Sequence, residues 1–446
     1  MKRFGTVLFV MFALVSVGFS QHPKKAVKAY EAAEEAFLKR DYEKAHQQVL
    51  KAVIADPNYA EAWLLEGEIG METKDYDLAM IGYQNALAID SMLFPPAAIT
   101  LARLYDERGN YQREIVLLDW YKKNANGNVF NDNVVDELLA QAVFRDDALK
   151  HPKNIDLVNL GKTINAVSDE YVNMLSFDGS TLLFTRKMPS ENGYQKESLF
   201  VSQWDGEQWL EPQLLAFADF PEDVDPGAAF ISADGKKLYL TGCGWQRDSS
   251  CDLYVSEWTE GRWSMPRRLS ESINTRSWES QPCVSSDGKE LYFVSRRSGN
   301  ADIYCARRNT DGTWGEPQNL GLPINTKGTE MAPFLHPDGH TLYFSSDKHL
   351  GMGGFDLFMS RRDDKGQWQT PVNLGFPINT KGDEINFFVA ADGKTAFISS
   401  QREGGKGGYD IYTFELPEEI RSDSANYLSN VISRSEERRV GKECRS

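Results

Sequence analysis

Positive charge is in short supply in this chain: 49 Lys and Arg stand against 65 Asp and Glu over 446 residues, a formal charge of −16. An acidic surface repels nucleic acid and anionic lipid, so neither is expected as the main partner. Histidine is scarcer still, with six residues. His336 and His340 flank an Asp338-Gly339 turn at a hairpin tip, without a third ligand, and read as surface-turn residues. No metal and no other cofactor is expected. The signatures of common catalysts are missing as well: there is no Gly-x-Ser-x-Gly elbow, no zinc-protease helix and no phosphate loop. After the first twenty residues no apolar run reaches the ~20 residues a spanning helix needs.

The two ends carry separate signals. Lys2 and Arg3 precede an apolar run, Val7 to Val17, and Gly18-Phe19-Ser20 places small residues before Gln21. Residues 1–20 therefore read as a cleaved secretory signal peptide, and the mature chain is expected to begin near Gln21. No cysteine near the cleavage site suggests a lipoprotein. At the other end, residues 434–446 break with the acidic composition and look like a translated sequencing adapter, so they are set apart from the fold. The natural gene is expected to continue past Ser433, with residues 417–433 starting a linker. An exported chain permits disulfides among Cys243, Cys251, Cys283 and Cys305.

Between the ends lie two kinds of repeat. Asp41-Tyr42-x-x-Ala45 recurs as Asp75-Tyr76-x-x-Ala79 and then as Asn110-Tyr111-x-x-Glu114, at spacings of 34 and 35. Helical periodicity surrounds each anchor, and small residues such as Ala45 and Ala79 allow paired helices to approach closely. One helical hairpin cannot bury its own apolar face, so such units stack. Positions including Ala52, Pro57, Trp63, Gly67, Tyr83 and Ala86 resemble the tetratricopeptide (TPR) consensus. A TPR-like helical array is expected over residues 26–150, with Asn133 to Leu149 capping it.

From residue 154 the apolar period drops towards two and glycine multiplies. Asp-Gly pairs open five units, at Asp178, Asp234, Asp287, Asp338 and Asp392, at spacings of 51 to 56. Asp-Gly between apolar runs marks a tight hairpin. Each unit then carries an apolar strand, an Asp-apolar-aromatic strand such as Asp302-Ile303-Tyr304 (in the first unit the weaker Ser198-Leu199-Phe200), and a Gly-x-Trp segment in all but the last. An Asn-Leu-Gly-x-x-Ile-Asn-Thr linker leads on, complete at Asn319 to Thr326 and Asn373 to Thr380. Four short strands repeated radially make a propeller blade, so residues 154–416 are expected to form a five-bladed β-propeller. The last unit lacks an outer strand, whereas Asn159-Leu160-Gly161-x-x-Ile164-Asn165 precedes the first. The N-terminal strand is expected to complete the last blade and close the ring, which removes exposed edges. The fold class is thus multidomain, an α-helical array followed by an all-β propeller.

These blades resemble the WD-repeat-like propellers of the TolB type, in the pattern running to Ser295 from Ser286 and in Gly404-Gly405-Lys406-Gly407-Gly408-Tyr409-Asp410-Ile411-Tyr412. A signal peptide, TPR units and such a propeller, in that order, are similar to Bacteroidetes envelope proteins of the OmpA family, among them the PorE-like components of the type IX secretion system. Pro417-Glu418-Glu419-Ile420-Arg421 stands where such proteins leave the propeller. The resemblance implies a periplasmic, outer-membrane-associated scaffold, with peptidoglycan held only by a C-terminal domain beyond this sequence. Partner envelope proteins would then be held by the TPR groove and the propeller faces.

Asp252, Asp302, Asp356 and Asp410 recur once per blade, which marks a turn or strand-end duty rather than catalysis. Glu170, Glu279, Glu330 and Glu384 precede the inner strands of four blades, with Asp225 at the matching place in the other. Two readings stay open for them: a ring at one channel mouth that attracts a cationic ligand, or bonds to linker amides. Cys243 ends a second strand and Cys251 begins the third, within disulfide reach. Cys283 and Cys305 lie on first and third strands and are expected to be free, buried thiols. A non-catalytic scaffold is the leading expectation. The alternatives are a propeller sensor for a glycan or peptide, and the front part of an exported hydrolase.

Overall fold

The computed structural model describes residues 22–125, 132–176, 178–189, 195–217, 225–244 and 251–422. Residues 1–21, where a signal peptide and its cleavage site are expected, and residues 423–446 lie outside the described residues. Contacts divide the chain into two compact units that meet in sequence at Asp146 and Asp147.

The first unit is helical: α1 Lys24–Leu38, α2 Tyr42–Ala55, α3 Ala60–Thr73, α4 Tyr76–Ile89, α5 Pro96–Glu107 and α6 Tyr111–Asn124, with α7 Asp132–Lys150 running past its end. The repeated Asp/Asn has a local cause. Asp41, Asp75 and Asn110 are N-caps, their side chains accepting from the amides of Lys44, Leu78 and Arg113 at 3.2, 3.0 and 3.3 Å. Such caps satisfy amides that the first helical turn leaves open. Ala45 and Ala79 are fully buried. The α3–α4 pair goes further and packs backbone on backbone. A Cβ at Gly82 would lie 2.2 Å from the amide nitrogen of Gly67, and one at Gly70 would lie 2.3 Å from that of Ala79.

The second unit is a five-bladed β-propeller of antiparallel sheets. Its first blade comprises Glu170–Leu175, Thr181–Pro189, Gln195–Gln203 and Gln213–Leu214; its second, Asp225–Ile231, Lys237–Cys243, Cys251–Thr259 and Arg267–Arg268. The third comprises Glu279–Val284, Glu290–Ser295, Asp302–Arg307 and Gln318–Asn319, and the fourth Glu330–Leu335, Thr341–Ser346, Asp356–Arg361 and Val372–Asn373. The fifth has Glu384–Val389, Thr395–Ser400 and Asp410–Glu415, and takes its outer strand from Val158–Asn159. Val158 pairs with Thr413 and Asn159 with Tyr412, so the ring is closed by the strand that enters it. Inner strands touch their neighbours all the way round.

The Ile-Asn linkers explain how blades stay joined. Ile164, Ile273, Ile324 and Ile378 are fully buried. Each following asparagine acts as a short piece of strand. Asn379 accepts from the Leu357 amide at 2.8 Å and donates to the Leu357 carbonyl at 2.9 Å. Asn165 does the same at Ile411, Asn274 at Leu253 and Asn325 at Ile303. A side-chain amide carries both a donor and an acceptor, which the edge of a strand requires.

Candidate functional site

The recurrent carboxylates are structural. Glu170, Glu279, Glu330 and Glu384 are fully buried. Glu330 accepts from the Thr326 amide at 2.8 Å, from Thr326 Oγ1 at 2.7 Å and from Ser346 Oγ at 2.8 Å. Glu279 and Glu384 repeat this set with Thr275 and Ser295, and with Thr380 and Ser400. Glu170 accepts from the Ala166 amide at 3.0 Å and from Arg186 Nε at 2.8 Å. Burial pushes the Glu170 carboxyl up to about 7, against the Ala166 amide and Arg186, which hold it down. Burial likewise raises Glu384, opposed by Ser400, Thr380 and Arg402. A channel-mouth ring needs exposed carboxylate oxygens, and these oxygens are taken up by the linkers, so the ring reading is corrected. Asp225 differs: it is only partly buried, with Oδ1 3.9 Å from Lys196 Nζ.

A long nitrogen-bearing side chain in each of these four blades completes the joint. Arg186 and Arg402 donate to the carbonyls of Ile164 and Ile378 at 2.7 and 2.8 Å, and Arg297 to that of Ile273. In the fourth blade His349 Nε2 takes that place, 2.8 Å from the Ile324 carbonyl oxygen. The blade aspartates are likewise occupied. Asp252 receives two bonds from Arg268, Asp302 one from Asn319 and Asp410 one from Asn159, so each holds the outer strand.

Side chains of all five inner strands converge on the axis. Bulges in the inner strands turn Asn173, Gln281 and Asn386 towards neighbouring blades. Asn173 accepts from the Ala229 amide at 3.2 Å, Gln281 accepts from that of Ala332 at 2.8 Å, and Asn386 donates to the Val172 carbonyl at 3.1 Å. One axial cavity beside them measures about 40 Å³. That is room for a few waters, far below the 300–1,000 Å³ of ordinary ligand pockets.

Cys243 and Cys251 form a disulfide across paired strands. Cys283 and Cys305 are free thiols, the first buried and the second partly so. Burial pushes both up to about 12. His336 departs from the surface-turn reading. It is 1% exposed, its Nδ1 accepts from the Asp338 amide at 3.2 Å, and its Nε2 lies 3.2 Å from Ser422 Oγ. Burial works against the Asp338 charge, but His336 and Thr341 outweigh it and hold that carboxyl below its ordinary value. His340 is exposed.

One larger cavity, about 490 Å³, opens between the third and fourth blades at their Asp-Gly turns. Lys289, Glu290, Arg307, Arg308, His340 and Arg362 line it. Arg362 reaches across and binds Glu290 through two nitrogens at 3.2 and 3.0 Å. No sequence motif marks this place, because its walls come from two repeats.

Comparison with known proteins gives likeness of fold. No protein-family model matches the chain, and no curated protein matches it. The propeller is similar to the putative TolB of Agrobacterium tumefaciens: 14% identity, 59% of this chain and 98% of that one covered, TM-score 0.37. The helical array is similar to the TPR2B domain of yeast Sti1, solved with pHsp70: 20% identity, 27% of this chain and 98% of that one, TM-score 0.24. It is also similar to the Yersinia enterocolitica type III secretion chaperone SycD, solved with a peptide of the translocator YopD: 20% identity, 27% and 93% covered, TM-score 0.24.

Proposed function

We propose that this chain is a non-catalytic scaffold of the cell envelope, exported through a cleaved signal peptide and holding partner proteins on its helical array and propeller faces. The observation that carries the reading is the use the fold makes of its recurrent polar residues. Glu279, Glu330, Glu384 and the linker asparagines are engaged in joining blades, and Asp252, Asp302 and Asp410 in holding outer strands. What both units offer is extended surface, the form in which repeat proteins bind partners. The small axial space speaks against a channel sensor for a glycan or peptide. The resemblance to PorE-like proteins supports an outer-membrane-associated role in a type IX-like secretion system, with peptidoglycan held by a further C-terminal domain.

Affinity capture from envelope extract with residues Gln21 to Ser433 tests this. The expected result is a reproducible set of envelope proteins, each confirmed by reciprocal capture, with no co-sedimentation of the chain with peptidoglycan sacculi. Turnover of a peptide or glycan, or saturable small-molecule binding without any protein partner, would overturn it.

A further inference from the structure

We propose that the crevice between the third and fourth blades is a docking site for an extended acidic segment of a partner protein; this rests on the scaffold reading and specifies one of its contacts. The chain itself shows how such a crevice is filled. Its own segment Leu416–Ser422 leaves the fifth blade and lies back against the fourth. There Tyr343 Oη donates to the Ile420 carbonyl at 2.6 Å, and Arg361 Nη2 donates to the Arg421 carbonyl at 2.6 Å. Ser422 Oγ meets His336, and Ile420 is buried in the propeller core.

Strand register identifies the counterparts one blade earlier. Glu290 pairs with Arg307 as Thr341 pairs with Arg361, and Tyr292 pairs with Cys305 as Tyr343 pairs with Met359. Arg307 and Tyr292 therefore stand where Arg361 and Tyr343 hold peptide carbonyls. Yet the Arg307 side chain is 85% exposed, with Nε 3.9 Å from Glu290 Oε1. Beside it, Arg308 makes no ion pair among the described residues. Its guanidinium lies over the Trp314 ring, 5.5 Å from the centroid, and its Nε donates to the Gly312 carbonyl at 3.1 Å. Arg362 already neutralises Glu290. Lys289 Nζ lies 3.4 Å from Asp287 Oδ2. With Asp287, Glu290 and Asp338 set against Lys289, Arg307, Arg308 and Arg362, the lining keeps one net positive charge on a chain of net −16.

An extended peptide fits these features. Its carbonyl oxygens accept from Arg307, as those of Arg421 do from Arg361. Its carboxylates meet Arg308, with Lys289 beside it, and planar guanidinium groups suit carboxylate recognition. The cavity, about 490 Å³, lies within the range of binding pockets. The segment that fills the neighbouring crevice also carries two adjacent carboxylates, Glu418 and Glu419.

The probe is a fluorescein-labelled peptide of the sequence Glu415 to Ser422, added to the full chain and followed by anisotropy. Saturable binding is expected. It should fall about tenfold or more in the Arg307→Ala/Arg308→Ala double variant, and equally when the peptide's glutamates are replaced by glutamine. Both arginines are exposed, and tryptophan fluorescence verifies folding; Lys289→Glu is the second variant and should also weaken binding. Equal affinity of the double variant, or no binding to the native chain, overturns the proposal. Displacement by glutarate at the peptide's own affinity also overturns it, in favour of a small dicarboxylate. Envelope-protein capture that persists in a chain unable to bind the peptide removes this site alone. Lost capture with peptide binding intact removes the scaffold reading alone.

Discussion

Replacing Asn379 by alanine should loosen the joint between the fourth and fifth blades. The side chain is fully buried. Its Oδ1 accepts from the Leu357 amide at 2.8 Å, and its Nδ2 donates to the Leu357 carbonyl at 2.9 Å and to Asn373 Oδ1 at 2.8 Å. Alanine removes all three bonds and leaves a buried backbone amide and carbonyl unpaired. Each orphaned group costs about 1–3 kcal/mol, so the sum is on the order of 3–4 kcal/mol. Of the ten tryptophans, Trp63 and Trp120 lie in helices and the other eight follow residue 158, so fluorescence reports mainly on the propeller. With a urea slope of about 3 kcal/mol per molar, the midpoint should fall by roughly 1 M. Asn379→Asp should be at least as damaging, because it sets a carboxylate against the Leu357 carbonyl and the Asn373 oxygen. Asn325→Ala, with the same bonds to Ile303, should match Asn379→Ala. A midpoint shift below about 0.2 M for alanine, or an aspartate variant as stable as the native chain, would refute the reasoning.

Three further outcomes are expected. The Cys243→Ser/Cys251→Ser double variant should lose about 2.5 kcal/mol, from a cross-link spanning a sequence separation of 8, and a non-reducing peptide map should find the two residues joined in the native chain. Cys283 and Cys305, raised to about 12, should resist iodoacetamide at pH ~8 in the folded chain and react only after denaturation, because the thiolate is the nucleophile; rapid native labelling mapped to either residue would contradict their burial. Gly82→Ala should force α3 and α4 apart, since its Cβ would stand 2.2 Å from the Gly67 nitrogen. A loss of about 3 kcal/mol, seen by far-UV circular dichroism as earlier melting of helix, is the expected result, and an unchanged transition would show that the pair does not pack backbone to backbone.

The architecture was legible because its causes are local. An Asp or Asn before each Tyr caps a helix within three residues. Gly288 adopts a φ of +74° that its Asp-Gly turn requires, and the linker motif carries, after its isoleucine, an asparagine that substitutes for a strand. Even ring closure could be read, since an unpaired linker motif stood before the first blade and none followed the last. The carboxylate ring was only half legible. Periodicity put one acid per blade at the inner-strand start, but not which way its oxygens turned, and they turn into the linkers. His336 was misplaced because Ser422, 86 residues later, comes to lie against it.

The crevice between the third and fourth blades was invisible for a related reason. Its shape depends on Arg362 reaching Glu290 across 72 residues, and on which blade receives the segment that leaves the ring. A repeat sequence implies five equivalent crevices. In the fold they differ, because Leu416–Ser422 occupies one and an arginine–glutamate pair divides another. Residues that obey the repeat hold the propeller together, and so carry little information about what it binds. Glu290 departs from it, standing where the fourth blade has Thr341, and so does Leu416, standing where the third and fourth blades have Arg308 and Arg362. On the docking proposal, recognition resides at such a departure: Glu290 draws Arg362 across the crevice and leaves Arg308 to a partner.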